Sequence, residues 1–220
     1  PEKLEIELNW IDEHVDGKPY GVDVLVPNSY VGKGENLTTD DLRAMIPQEH
    51  REFRADVLEK HDIEANDLRS DEGSQRTEQN SNQVLGAGLD GAKEVLEVAF
   101  SHPIGLVANA LGVPPKWMLD MGKEHNVPVA ALIGAKQHAV KQVEAGVDII
   151  VVSGTEGGGH CGSVSTMVLV PEVRRALKPY GDVPILAAGG ICTGEQMAGV
   201  MAMGADGVWC ASVFLPTTEA

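Results

Sequence analysis

A chain of 220 residues with 43 % hydrophobic content is long enough to bury one substantial core and too apolar to be wholly disordered. Its formal net charge of −16, from 33 acidic against 17 basic residues, repels a phosphate backbone and an anionic membrane surface alike, which excludes nucleic acid and membrane as expected partners. Cys161, Cys192 and Cys210 are odd in number and form no CxxC pair, so no disulfide framework and no metal site is expected, and a reducing cytoplasm is the fitting compartment.

From Pro1 the sequence enters helical periodicity at once, with Leu4, Leu8 and Ile11 on one face, as in a chain joined partway through. Short apolar runs then alternate with amphipathic stretches of roughly 10 to 15 residues, the pattern of repeated βα units around a parallel sheet. Six strands are expected: Tyr20 to Val26, Ile104 to Ala108, Val127 to Ile133, Asp148 to Val152, Val183 to Ala188 and Gly207 to Cys210. Between the first two, residues 35–80 are strongly charged, with a helix-like stretch from Gln48 to Lys60 and a polar run from Asn66 that continues to Gln83. This segment reads as an insertion, part helix and part flexible, leaving a βα loop either to cover the site or as a surface appendage.

Gly86-Ala-Gly-Leu-Asp-Gly91 fits the dinucleotide pattern G-x-G-x-x-G, yet it follows polar residues rather than a buried strand, and no acidic residue stands about 20 positions on. A glycine-bearing helix start is expected there instead. Further along, Ala135 to Ala145 closes on Gly146, and Thr193-Gly-Glu-Gln196 makes a capping box. Six βα units of a (β/α)8 barrel need roughly 190 residues, close to what is left once 35–80 is set aside. The expected fold is therefore an α/β TIM barrel, N-terminally truncated, with about six of its eight units present. An open six-stranded sheet fits the length as well.

Ser153-Gly-Thr-Glu-Gly-Gly-Gly-His160 follows the buried strand Asp148 to Val152 and so occupies a strand C-terminus, the edge where parallel α/β proteins bind ligands. Consecutive glycines are entropically costly and pack nothing, which leaves two reasons for them: a sharp turn, or close approach of backbone to a flat ligand. His160, closing the run, reads either as a proton acceptor near neutral pH or as a buried structural histidine. After the next strand, Gly189 and Gly190 lead into the capped helix, where backbone N–H groups and the helix dipole favour an anion. Cys210-Ala-Ser212 adds N–H groups and a hydroxyl after the last strand, and barrels often hold phosphate between those two loops. His14, His50, His61, His102, His125 and His138 sit in helices or connections and are expected to serve surface or packing roles.

Pro19-Tyr-Gly-Val-Asp-Val-Leu-Val-Pro27, Glu156-Gly-Gly-Gly-His160, Ala187-Ala-Gly-Gly-Ile191 and Ala205-Asp-Gly-Val-Trp-Cys-Ala-Ser212, in this order, together resemble nitronate monooxygenases, formerly called 2-nitropropane dioxygenases. The resemblance covers nearly the whole chain outside residues 35–80. It implies an FMN-dependent flavoprotein in which an alkyl nitronate and oxygen yield a carbonyl compound and nitrite, with His160 deprotonating neutral nitroalkanes. By position it implies flavin contacts at Asp23, Ser153, Gly158, Gly190, Trp209, Cys210, Ala211 and Ser212; with Gly159 and Gly189 from the glycine runs, these make up the expected cofactor site.

The chain departs from the family pattern at Asp23, where Asn is common, at Ser153, where Gln is common, and at Ala211, where Gly usually precedes the hydroxyl residue. An ionised Asp cannot donate a hydrogen bond as Asn does. The family's first two strands, with their Pro-Met and Gly-Gly-Leu-Gly-like segments, have no counterpart in the sequence. The implied partners are a small-molecule substrate and oxygen, with a homo-oligomer left open. Two other functions fit much of the same pattern: an FMN-dependent NAD(P)H enoyl-thioester reductase, and a non-catalytic barrel that binds a phosphate ligand.

Overall fold

The computed structural model describes residues 1–26, 41, 44–63 and 89–218. The chain divides into two compact units, Pro1–Asn28 with Ala92–Ala220, and Ser29–Gly91. In chain order the elements are α1 (Glu2–His14), β1 (Gly21–Asp23), α2 (Gln48–Glu59), α3 (Leu89–Phe100), β2 (Leu106–Asn109), α4 (Lys116–Glu124), β3 (Val129–Ile133), α5 (Lys136–Ala145), β4 (Ile149–Ser153), α6 (Thr166–Leu177), β5 (Ile185–Ala188), α7 (Gly194–Ala202) and β6 (Gly207–Trp209). All six expected strands form. Pro128 and Pro184 stop their strands short of the expected starts because they have no N–H to give the ladder, although their carbonyls still accept from Val107 and Ile150.

The helical expectations hold where they can be read. On α1, Leu8 is buried and Leu4 and Ile11 pack against the core. α5 ends on Gly146 in the left-handed region at φ +100°, and the capping box of Thr193 and Gln196 opens α7. In the second unit α2 matches the helix expected from Gln48, with Ala55 buried on it. Most of the remainder of 35–80 lies outside the described residues, as do Gly86, Ala87 and Gly88 of the glycine pattern; α3 begins at Leu89.

The sheet is wholly parallel, in the order β1-β2-β3-β4-β5-β6, so each strand pairs with its neighbours in sequence. A doubly wound sheet reverses its order at a switch point. This one does not, so it is not doubly wound, and its order is the singly wound one of a curling barrel wall. Register sorts the side chains onto two faces. Val107, Val129, Ile133, Ile150, Val152 and Ile185 join helical Leu96, Met118, Leu169 and Val173 in the large core. Ala108, Ala130, Val151 and Ala188 form a second cluster on the other face, with Leu106, Leu132, Ile149, Leu186 and Trp209 against them. Those four are at most 5 % exposed, and among the described residues no helical residue belongs to their cluster. The strands shield one another, as they do when a parallel sheet curls on itself.

Two aspartates lock the N-terminal edge. Asp148, just before β4, accepts from the Val129 amide at 2.8 Å, and Asp206, just before β6, accepts from the Ile185 amide at 2.7 Å. Arg174 of α6 pairs with Asp206 and donates to the carbonyls of Gly204 at 2.6 Å and Val183 at 3.1 Å.

His102, in the turn after α3, does more than pack. Its side chain is 6 % exposed and stands between two carboxylates of α1, with Nδ1 2.6 Å from Asp12 and Nε2 3.5 Å from Glu5. The Tyr20 hydroxyl donates to Asp12 at 2.5 Å. The bond to Asp12 raises the His102 pKa, while the bonds from Tyr20 and His102 lower that of Asp12. Burial, then Asp12, pushes the Tyr20 hydroxyl up to about 12.

The signs fix a pH dependence. A raised His102 stabilises the fold fully below its unfolded value of about 6.5 and loses that contribution as pH rises through the folded value. Asp12 contributes above about 3.9 and loses its share as pH falls through its lowered value. His102→Gln is expected to depress the melting temperature most at about pH 6, with the gap to wild type closing at each step above it. Calorimetry across that range checks this, and a gap that does not narrow as pH rises would exclude a charged His102.

Candidate active site

A parallel sheet delivers every strand's C-terminal end to one edge, and three loops meet on that edge here. β4 ends at half-buried Ser153, which pairs with Ala188 of β5, which pairs in turn with Trp209 of β6. All three lie on the face of the second apolar cluster, opposite the helices. Asp23, the last residue of β1, pairs with Ala108 and so shares that face, with two strands between it and Ser153. Burial raises the Asp23 carboxyl pKa.

Beyond Ser153 the chain turns tightly. The Gly154 amide donates to Ala188 across the sheet at 3.1 Å, the Gly157 amide donates back to Gly154 at 3.1 Å, and the Thr155 amide closes the loop onto Val164 at 3.0 Å. A methyl group on Gly158 would lie 2.9 Å from Ser212 Oγ, and one on Gly190 would lie 2.9 Å from the Glu156 β-carbon. The loop after β4 thus touches the loops after both β5 and β6. Gly189 and Gly190 have φ of +96° and +71°, the left-handed region that side chains resist.

Gly157, Gly158 and Gly159 are absent from the positive-φ glycines, so a left-handed turn is not their reason. A methyl on Gly159 would meet nothing within 4 Å. The close-approach explanation therefore gains at Gly159, where neither backbone angle nor a neighbour requires glycine. His160 is exposed and its ring makes no hydrogen bond among the described residues, which corrects the buried structural alternative.

The remaining expected residues divide. Ala211 and Ser212 are exposed, and Ser212 opens a short 3-10 helix, Ser212–Phe214. The Cys210 side chain packs on the helix-facing core, so alternation along the strand turns its thiol away from the face of Trp209. At the start of α7, Gln196 Oε1 accepts from the amides of Cys192 and Thr193 at 2.7 and 3.0 Å, and Thr193 Oγ1 accepts from that of Gln196 at 3.3 Å. The cap occupies those three amides, and the turn at Gly189 and Gly190 lies directly before them.

Three residues at this edge carry no role assigned from the sequence. Glu156 accepts from the backbone and hydroxyl of Thr166, and those contacts, the backbone one foremost, hold its carboxyl below the usual range. Asn109 is fully buried at the end of β2, where its side-chain oxygen accepts from the Val26 amide at 3.0 Å and its side-chain amide donates to Gly112 at 3.1 Å. The signals available were an acid inside a glycine run, a hydroxyl residue at a helix start, and an amide closing an apolar strand.

A flat, phosphorylated ligand suits this edge. Ala108, Ala130 and Ala188 keep the inner face shallow, and the left-handed glycines bring no side chain of their own to the loop after β5. Among the described residues no group of histidine, cysteine, aspartate and glutamate could hold a metal ion, and no helix is long and apolar enough to cross a membrane.

Two variants separate the roles of the glycines. Gly190→Ala, strained in φ and driven against Glu156, is expected to cost on the order of 1–3 kcal/mol of stability. Gly159→Ala should move stability by less than about 0.5 kcal/mol. Denaturant titration of both decides it, and equal losses would show that Gly159 is held by the fold alone. Asp23→Asn tests the raised carboxyl. An acid whose pKa is raised in the fold binds its proton more tightly when folded, so stability falls as pH rises from about 3.9 through the folded value and stays lower above it. Asn should raise the melting temperature at neutral pH and leave it unchanged at about pH 3; a stabilisation that persists in acid would refute the assignment.

A family model described as Nitronate monooxygenase matches residues 1–220. A Mycobacterium tuberculosis protein named "Putative monooxygenase" is 48 % identical over 221 aligned residues, covering 100 % of this chain and 56 % of its own. A Rhodococcus jostii protein named as the dehydrogenase of an octahydroindene carboxyl-CoA is 40 % identical over 113 residues, 51 % of this chain and 31 % of its own. Among solved structures, nitroalkane oxidase from Streptomyces ansochromogenes superposes with a TM-score of 0.61 over 96 % of this chain and 56 % of its own, at 23 % identity, a likeness of fold. The chain spans about half the length of the relative it matches from end to end.

Proposed function

We propose, from the fact that the chain belongs to the nitronate monooxygenase family, a family of flavin oxidoreductases, that it carries the FMN and proton-abstraction site of an enzyme oxidising alkyl nitronates with oxygen to a carbonyl compound and nitrite. The observation that carries this reading is the meeting of the three loops, Gly158 against Ser212 and Gly190 against Glu156, on the C-terminal edge of the sheet. The six βα units are read as part of an eight-unit (β/α)8 barrel, one FMN-binding domain interrupted by the 35–80 insertion. Sequential strand order and a relative of which the chain spans 56 % support that. The setting is cytoplasmic, with a small-molecule substrate and oxygen as partners.

In this reading Gly189, Gly190 and Ser212 hold the FMN phosphate beside the positive end of α7. Gly158 and Gly159 admit the flat ring against backbone, and Asp23, Ser153, Trp209, the Cys210 backbone and Ala211 border it. FMN, when bound, supplies an electron acceptor that oxygen can reoxidise. Asp23 stands where the family commonly has Asn, and desolvation raises its carboxyl pKa there. His160, exposed and unbonded, takes onto a ring nitrogen the proton from the carbon beside the nitro group. A preformed nitronate has already lost that proton and needs no base.

The CoA thioester in the name of the Rhodococcus jostii relative favours one second reading, oxidoreduction of an enoyl thioester with NAD(P)H. One set of assays separates the two. The intact protein should be yellow and consume oxygen with an alkyl nitronate; a colourless protein that FMN cannot reconstitute would sink both readings, and steady NAD(P)H oxidation with an enoyl thioester but none with nitronate would select the second. His160→Asn should slow turnover of neutral nitroalkane by roughly 10²–10⁴ while sparing preformed nitronate. Equal loss on both substrates would remove its role as base.

A further inference from the structure

The acid inside the glycine run is bound in a way that links two of the three loops. Glu156 Oε2 accepts from the Thr166 amide at 2.9 Å and from the Thr166 hydroxyl at 2.9 Å. Thr166 is the first residue of α6, and Ser165 at the N-cap position makes no capping bond with its side chain. The carboxylate therefore caps this helix from ten residues upstream, at the end whose dipole favours negative charge.

The same Thr166 hydroxyl, 6 % exposed as a residue, lies 3.3 Å from the Ala188 carbonyl and 3.1 Å from the Gly189 carbonyl. A hydroxyl has one proton to give. Three acceptor oxygens, one from the loop after β4 and two from the end of β5 and its loop, thus surround one donor. On its other side Glu156 presses its β-carbon toward Gly190, where a methyl would come within 2.9 Å. Gly154 and Gly189 are drawn equally close, since a methyl on Gly189 would lie 2.9 Å from the Gly154 amide nitrogen and carbonyl oxygen and 3.1 Å from Thr166 Oγ1. A helix cap alone would not need the second set of contacts.

We propose that Glu156 is a positioning residue that couples the His160 loop to the Gly189–Gly190 loop, setting base and phosphate cradle at a fixed separation through Thr166 and Gly190. The catalytic meaning rests on the nitronate-oxidising reading above; the coupling itself does not. Glu156 acts by holding the chain that carries His160 against the chain that carries the glycines.

Amide hydrogen exchange on the intact, cofactor-free protein tests the coupling directly. Glu156→Ala should speed exchange in residues 157–163 and in residues 189–192 together, each by about tenfold, the loss expected for a hydrogen bond to a charged group. Glu156→Gln, which keeps an acceptor, should fall between Ala and wild type. Thr166→Val should reproduce the double effect and Thr166→Ser should restore it; this pair decides the question should Glu156→Ala fail to fold. Faster exchange confined to the first turn of α6, with 189–192 unchanged, would reduce Glu156 to a helix cap and overturn the proposal. With FMN added, the Glu156→Ala dissociation constant should rise about tenfold and kcat for neutral nitroalkane should fall more than kcat for nitronate. If the wild-type protein binds no FMN and oxidises no nitronate, the functional reading fails while the exchange pattern still settles the coupling.

Discussion

Parallel pairing is the constraint on which the rest of this structure depends. A parallel ladder cannot be closed by a tight hairpin, so each strand must return through a helix on the outer face. Every strand then ends on the same edge. That geometry alone gathers the ends of β4, β5 and β6 and the loops that follow them, although the three loops are far apart in sequence. It also divides labour between the edges. The N-terminal edge carries the aspartates that hold register and the imidazole of His102 between two carboxylates; the C-terminal edge carries glycines, a histidine with no hydrogen bond among the described residues, and exposed hydroxyls.

The two edges treat polar groups differently. At the N-terminal edge, Asp148, Asp206 and Arg174 find fixed partners, and their bonds tie one strand's start to the next. At the C-terminal edge the fixed polar bonds lie beneath the loops, around Thr166 and Asn109, while His160 and Ser212 remain exposed above them. A site needs that order of support, because groups that must meet a ligand cannot be tied to the protein, and groups that orient them must be.

Much of the fold was legible for one reason: residues buried on both faces read as unbroken apolar runs, as Val129 to Ile133 and Ile149 to Val152 do. Helix bounds were legible where the signal is local, as at Gly146 and in the Thr193–Gln196 cap. The His160 loop was legible because it directly follows such a run. What escaped were bonds between residues distant in sequence: Glu156 with Thr166, His102 with Asp12, Asn109 with Val26. Each depends on which segments the register brings together, which residue type and spacing do not carry. Cys210 is a different case. Period-two alternation from Trp209 was enough to send its thiol to the helix side, but reading the last strand as a continuous contact stretch hid it.

The strand order has a consequence for assembly. β3 to β6 each close against the preceding strand over a connection of ordinary length, so their pairing is local along the chain and entropically mild. β1 must instead wait for β2 across everything from Val24 to Gly105. A connection roughly fourfold longer adds only about 1 kcal/mol of closure entropy, yet β1 has only three residues of ladder with which to offset it. The strand is pinned at both ends, by Tyr20 through Asp12 to His102 before it and by Val26 to Asn109 beyond it. Those pins make the junction of the sheet with the longest connection one whose grip varies with the protonation of a single imidazole.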